Sequence, residues 1–141
     1  MNEFIWHKEY SLDEVNRLSK GTMFEYLDIQ FTEITSNSLT AAMPVTAKIL
    51  QPLGRVHGGA NVVLAEGIMS TGGNLVVEPD KFACVGLEIN ANHIRPATSG
   101  TVIAIARPLH LGRTTHVWEC TLKHNDKITC ISRMTLAVIS R

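Results

Sequence analysis

The chain has 141 residues, 13 of them basic and 13 acidic, for a formal net charge of zero at pH 7. That length suits one domain, 1–141, with a core of its own, and charge this balanced, without runs of Lys or Arg, argues against a nucleic-acid surface. The first ten residues lack the apolar stretch of a secretory leader, and the most apolar segment, 60–77, is too short and too interrupted to span a membrane; a cytoplasmic protein is expected.

The N-terminal segment, 1–26, reads as helical. Ser11-Leu12-Asp13-Glu14 is a capping box, Leu12, Val15 and Leu18 form a short apolar stripe, and Gly21 ends the helix. Thr22 to Tyr26 adds a further helical turn. Leu27 to Thr35 alternates as a strand, with Leu27, Ile29, Phe31 and Glu33 on one side; Ser36-Asn37-Ser38 is a turn and Leu39 to Val45 the returning strand. Thr46 to Val56 holds Pro52 and Gly54 and is a loop.

His57 to Val77 is the one long helix, apolar on nearly every side. Strand-like segments follow at 82–94, 101–111, 114–124 and 128–139, broken at Pro96 with Ser99-Gly100, at Gly112 and at Asn125-Asp126. If Asn125-Asp126 is a two-residue turn, Cys120 faces Ile131 and points away from Cys130, so reduced and buried thiols are expected. A hairpin, a long helix and four consecutive antiparallel strands make an α+β domain, its apolar helix hidden by a sheet curved around it. Strands this long leave an open edge, which an edge-to-edge dimer would close.

Two features of the helix suggest chemistry. Gly58 and Gly59 open it, where free backbone N–H groups point outward; lacking a Cβ, they either let a substrate carbonyl approach or let the helix pack tightly. Glu66 stands among Val62, Val63, Leu64, Ala65, Ile68 and Met69, which predicts a dry setting where a carboxylate needs a partner or a task. Ser70 lies one turn further on the same face, bonded either to that task or back to its own helix. The three cysteines lack metal-type pairing, and His110, His116 and His124 share no ligand spacing, so neither a metal nor another cofactor is expected.

The strings Met43-Pro44-Val45, Gln51-Pro52-Leu53-Gly54, Val56-His57-Gly58-Gly59, Leu64-Ala65-Glu66, Val85-Gly86-Leu87-Glu88-Ile89-Asn90-Ala91-Asn92-His93 and Pro108-Leu109-His110-Leu111-Gly112 occur across most of the chain. Together they resemble the hotdog-fold acyl-CoA thioesterases of the branch containing the 4-hydroxybenzoyl-CoA, menaquinone-pathway and enterobactin-proofreading enzymes. The resemblance implies a hotdog fold and hydrolysis of an acyl- or aroyl-CoA thioester. Glu66 is then the nucleophile or general base, the Gly58 N–H polarises the carbonyl beside Gly59, and Gln51 and His57 flank it. Ser70 orients the water or carboxylate, and Thr71 lines the acyl pocket, where relatives often carry an apolar residue. His93 and Arg95 contact the phosphates of CoA, Arg113 is a weaker candidate for the same duty, and pantetheine passes the backbone of Val85 and Gly86. His57, at the positive end of the helix, is better suited to fixing the loop than to donating a proton.

In such enzymes the Gln and His of one subunit face the Glu of the other, which implies a homodimer with shared sites, assembled further into a tetramer. The acyl group itself is not legible, because specificity turns on a few contacts worth ~1–3 kcal/mol each. A mischarged aryl carrier protein is an alternative substrate. A hydratase or dehydratase on the same fold would be expected to work through a His where this helix carries Glu66, and a binding protein would not need the Gln51–His57–Glu66–Ser70 set.

Overall fold

The computed structural model describes residues 3–141. Helix α1 (Leu12–Arg17) and the single turn α2 (Met23–Tyr26) precede strands β1 (Gln30–Ile34) and β2 (Leu39–Pro44). A 3-10 turn at Ala47–Ile49 leads into the long helix α3 (Gly58–Val76), and β3 (Phe82–His93), β4 (Thr101–Leu111), β5 (Thr115–His124) and β6 (Lys127–Ser140) follow. The strands form one antiparallel sheet in the order β1-β2-β4-β5-β6-β3. From the helix the chain therefore runs to the far edge, and its last strand returns to lie between β5 and β3.

Local chemistry accounts for the N-terminal elements. The Ser11 hydroxyl accepts from the Glu14 N–H at 3.2 Å and the Glu14 carboxylate accepts from the Ser11 N–H at 2.8 Å, a reciprocal cap that starts α1. Gly21, at φ +72°, turns the chain after it. β1 starts later than the alternation suggests, because Asp28 takes a left-handed φ of +58° and breaks the extended backbone. A bulge between Phe31 and Glu33 then leaves Glu33 exposed and turns Ile34 inward, correcting the expectation for Glu33.

The β5–β6 hairpin also departs from simple counting. Asn125 and Asp126 take φ of +50° and +61°, as a two-residue primed turn requires. A bulge at Leu122/Lys123 shifts the register, so Cys120 pairs with Ser132 and Leu122 with Cys130. Cys120 and Cys130 therefore share the inner face, where sequence counting put them on opposite faces. All three cysteines are free and buried.

The helix rests on the sheet through Leu64, Ala65, Ile68, Met69 and Leu75, all buried. Gly72 and Gly73 make the close approach: a Cβ at Gly72 would lie 2.7 Å from Cη2 of Trp118, and one at Gly73 2.5 Å from Cδ1 of Leu136. Trp118 is stacked against Trp6 with ring centroids 6.2 Å apart, so the N-terminal arm closes this side of the core. Phe24 of α2 lies where a side chain on Gly67 would go, and packs on Phe31 at 5.8 Å.

The sheet covers only one side of α3. Val62, Val63, Gly67, Ser70 and Thr71 are half-buried, and Glu66 is exposed. β3 pairs with β6 on one side alone, and on this edge strand Val85 and Leu87 are 42% and 64% exposed.

Candidate active site

The opening of α3 sets out its amides one by one. His57 is the N-cap residue, and its Nδ1 accepts from the Gly59 N–H at 2.8 Å. Its carbonyl accepts from Ala60 and Asn61 at 2.9 and 3.3 Å. That leaves the Gly58 N–H without an acceptor among the described residues, at the positive end of a 19-residue helix. His57 is itself fixed by its own N–H, which donates to the Ile49 carbonyl at 2.7 Å.

Gln51 organises the preceding loop. Its N–H donates to the Arg55 carbonyl at 2.8 Å and its carbonyl accepts from Gly54 at 2.9 Å, with Gly54 at φ +77° making the turn. Its side-chain oxygen accepts from the Leu53 N–H. The side-chain NH₂ remains free to donate, beside the same helix opening.

Glu66 stands on the open face of α3, exposed and without an ion pair or hydrogen bond among the described residues. This corrects the dry setting expected from its apolar neighbours: Leu64, Ala65, Ile68 and Met69 are buried against the sheet, Val62 and Val63 are half-buried, and in a single chain the open face lacks a cover. The carboxylate lies against Gly86 of β3, where a Cβ would come within 3.2 Å of Oε1. A bulge between Gly86 and Glu88 bends the edge strand at this point.

Ser70 and Thr71 are half-buried one turn beyond Glu66. The Ser70 carbonyl accepts from Asn74 Nδ2 at 2.9 Å. Asn74 also holds the edge strand, accepting from the Cys84 N–H at 2.9 Å and donating to its carbonyl at 3.0 Å. In the sequence Asn74 stands out only as a polar break in an apolar run. Burial pushes the neighbouring Cys84 thiol up to about 11, and it meets the buried ring of His116 at 3.8 Å, whose pKa burial lowers; this pair is neutral.

At the other end of β3, His93 Nδ1 faces Asn61 Nδ2 at 3.3 Å, and its ring lies 3.0 Å from where a Gly58 Cβ would be. Arg95 follows, donating to the Ile128 carbonyl at 2.8 Å. A cavity of about 340 Å³ opens here, lined by Gln51, Gly58, His93 and Arg95 together with Arg55, Asn61 and Thr129. The last three escaped the sequence reading; only Arg55, a cation next to Gln51 and His57, carried a signal. Arg113 does not join them. It is exposed in the β4–β5 turn, near the end of the sheet where Thr115 pairs with Ala137 and Ala137 with Val85. Val85 and His93 are eight residues apart on β3, or about 25 Å along the strand.

A long helix backed by a six-stranded antiparallel sheet, with a free amide at its N-terminus and an unpaired acid on its open face, defines the class: a hotdog domain equipped for acyl-group chemistry. Comparison with known proteins names the family. Residues 53–131 match the thioesterase superfamily, and the chain belongs to it. It is 43% identical over 136 residues to the 1,4-dihydroxy-2-naphthoyl-CoA hydrolase of Escherichia coli (strain K12), covering 96% of this chain and 99% of that one. It is 38% identical over 136 residues to the proofreading thioesterase EntH of Cronobacter turicensis, covering 96% and 98%. Its fold matches the crystal structure of a mutant of thioesterase PA1618 from Pseudomonas aeruginosa with a TM-score of 0.95 and 45% identity, over 97% of this chain and 99% of that one. The protein is a thioester hydrolase.

Proposed function

We propose that the protein hydrolyses aroyl- or acyl-CoA thioesters to the free acid and CoA at a site shared between two subunits. One observation carries this reading. Gly58 and Glu66 are eight residues apart on one helix, about 12 Å along its axis. A thioester carbonyl spans far less than that, so the N–H that holds its oxygen and the carboxylate that serves its carbon belong to different chains. The exposed edge of β3, with Val85 and Leu87, is the surface on which a second copy would extend the sheet and bring its own helix opening to Glu66.

In this arrangement the Gly58 N–H takes up charge developing on the carbonyl oxygen, a contribution typically worth ~3–4 kcal/mol. His57 holds the neighbouring Gly59 amide in place, and Gln51 offers its free NH₂ to the same carbonyl or to water. Glu66 of the other subunit attacks the carbon or deprotonates the water that does; Ser70, one turn on, steers it. If Glu66 attacks the carbon, CoA leaves and water then hydrolyses the acyl–Glu66 anhydride to the free acid. If Glu66 activates water, the tetrahedral adduct expels CoA, which takes the proton that Glu66 received, and the free acid is left. The partner would also supply the dry cover that Glu66 lacks in a single chain. The relative named as a 1,4-dihydroxy-2-naphthoyl-CoA hydrolase supports an aroyl substrate, its acyl group bordered by Thr71.

The test is a panel of acyl- and aroyl-CoA esters read with a thiol-reactive dye, comparing wild type with Glu66→Ala. Thiol release is expected to fall by two or more orders of magnitude in the variant with its fold intact, because Glu66 is exposed and unbonded. Equal rates would remove Glu66 from the mechanism.

A further inference from the structure

Arg55 stands on the loop between Gln51 and His57 and lines the cavity at the opening of α3, which His93 and Arg95 border from the end of β3. Its side chain makes no ion pair or hydrogen bond among the described residues, and none of the residues lining the cavity is a carboxylate. Two guanidinium groups, an imidazole and the positive end of the helix thus converge on one space without a counter-charge.

A second observation points to an occupant. Asn61 and Thr129 also line this cavity, 6% and 3% exposed, and their Oδ1 and Oγ1 atoms are buried without a hydrogen-bond partner. Buried polar atoms are rarely left so, and a cavity of about 340 Å³ holds more than a water. The Thr129 hydroxyl can donate, and Arg55 offers a guanidinium that no acceptor among the described residues holds. A phosphate, with several acceptor oxygens and negative charge, suits such a set of donors.

We infer that Arg55 binds a phosphate of the thiol carrier, closing the cavity opposite Arg95, and that it sets the enzyme's preference for phosphate-bearing thioesters over the same acyl group on a shorter thiol. The inference rests on the thioesterase reading of this site. The phosphate belongs either to CoA or to the phosphopantetheine arm of a carrier protein.

The experiment uses one acyl group on four thiols: CoA, 4′-phosphopantetheine, a phosphopantetheinylated carrier protein, and pantetheine, which has no phosphate. With Arg55→Gln, KM is expected to rise about tenfold or more for the phosphate-bearing esters at constant kcat, and Arg55→Lys to recover part of the loss. KM for the pantetheine ester stays the same. A rise confined to CoA assigns the contact to the nucleotide phosphates; one shared by free phosphopantetheine or the carrier protein assigns it to the pantetheine-linked phosphate. An equal rise for the pantetheine ester, or no rise for any ester, overturns the inference. Calorimetry with CoA alone separates this outcome from failure of the thioesterase reading. If no ester is hydrolysed by the wild type, weaker CoA binding to Arg55→Gln still upholds the contact, and equal binding refutes it.

Discussion

The carboxylate of Glu66 lies against the bare backbone of Gly86, so that a Cβ on the glycine would stand 3.2 Å from Oε1. The same Cβ would come within 2.6 Å of Cε of Met134, the far end of a flexible side chain that can yield. Gly86→Val therefore presses on both Met134 and the acid, and its branched side chain moves the carboxylate further than a Cβ alone would. Turnover of the best CoA ester is expected to fall by about 10²-fold, the usual consequence of moving a reacting group by an ångström. Steady-state thiol release alongside a thermal melt checks this: unchanged turnover in a folded variant would show that Glu66 does not work from this position.

A shared site predicts complementation. Glu66→Ala keeps a sound helix opening, and His57→Ala, which releases the Gly59 amide, keeps the acid. Neither alone should turn over substrate at more than a small fraction of the wild-type rate. When the two are co-expressed and reassort freely, half of the dimers are mixed and each holds one intact site, so activity should return to about a quarter of wild type. Activity no higher than that of the separate variants would place the whole reaction within one chain.

The buried thiols give a pH dependence with a definite sign. Burial raises the Cys84 thiol to about 11 and raises Cys120 and Cys130 as well. A group whose folded pKa lies above its unfolded one favours the folded state while it is protonated. This contribution is complete below about pH 8.5, the ordinary thiol value, and fades as pH climbs towards 11. The melting temperature is expected to decline across pH 9 to 11, and less steeply in Cys84→Ala measured against its own neutral-pH value. A thiol-reactive dye at pH 8 should find no fast thiol in the native protein and three in denaturant. Fast labelling of the native protein would contradict the burial.

Elements specified by local chemistry were legible in the sequence almost to the residue. The Ser11 capping box, the Gly58 helix opening, the Asn125-Asp126 turn and the extents of β4 and β5 depend on neighbours a few positions apart. The bulges were not legible. Those at Phe31/Glu33 and Leu122/Lys123 are settled between strands, and each moved side chains to the face opposite the one counting assigned. The same division runs through the site. Gly58 and Glu66 stand out by type and position and Gln51 and His57 by the family resemblance, whereas Asn61, Asn74 and Thr129 are ordinary polar residues until folding brings them to His93, Cys84 and the cavity.

By itself the sequence determined the order of elements, the single long helix, the chemistry of its opening and the presence of one acid on it, because these follow from short-range periodicity and from what each side chain can do. Only the tertiary structure decided that Glu66 faces outward, that Gly86 rather than a side chain lies beside it, and that Arg55 and Arg95 border one cavity. The sheet covers one side of α3 and stops at β3, and the position of that edge is set by contacts between residues far apart in the chain.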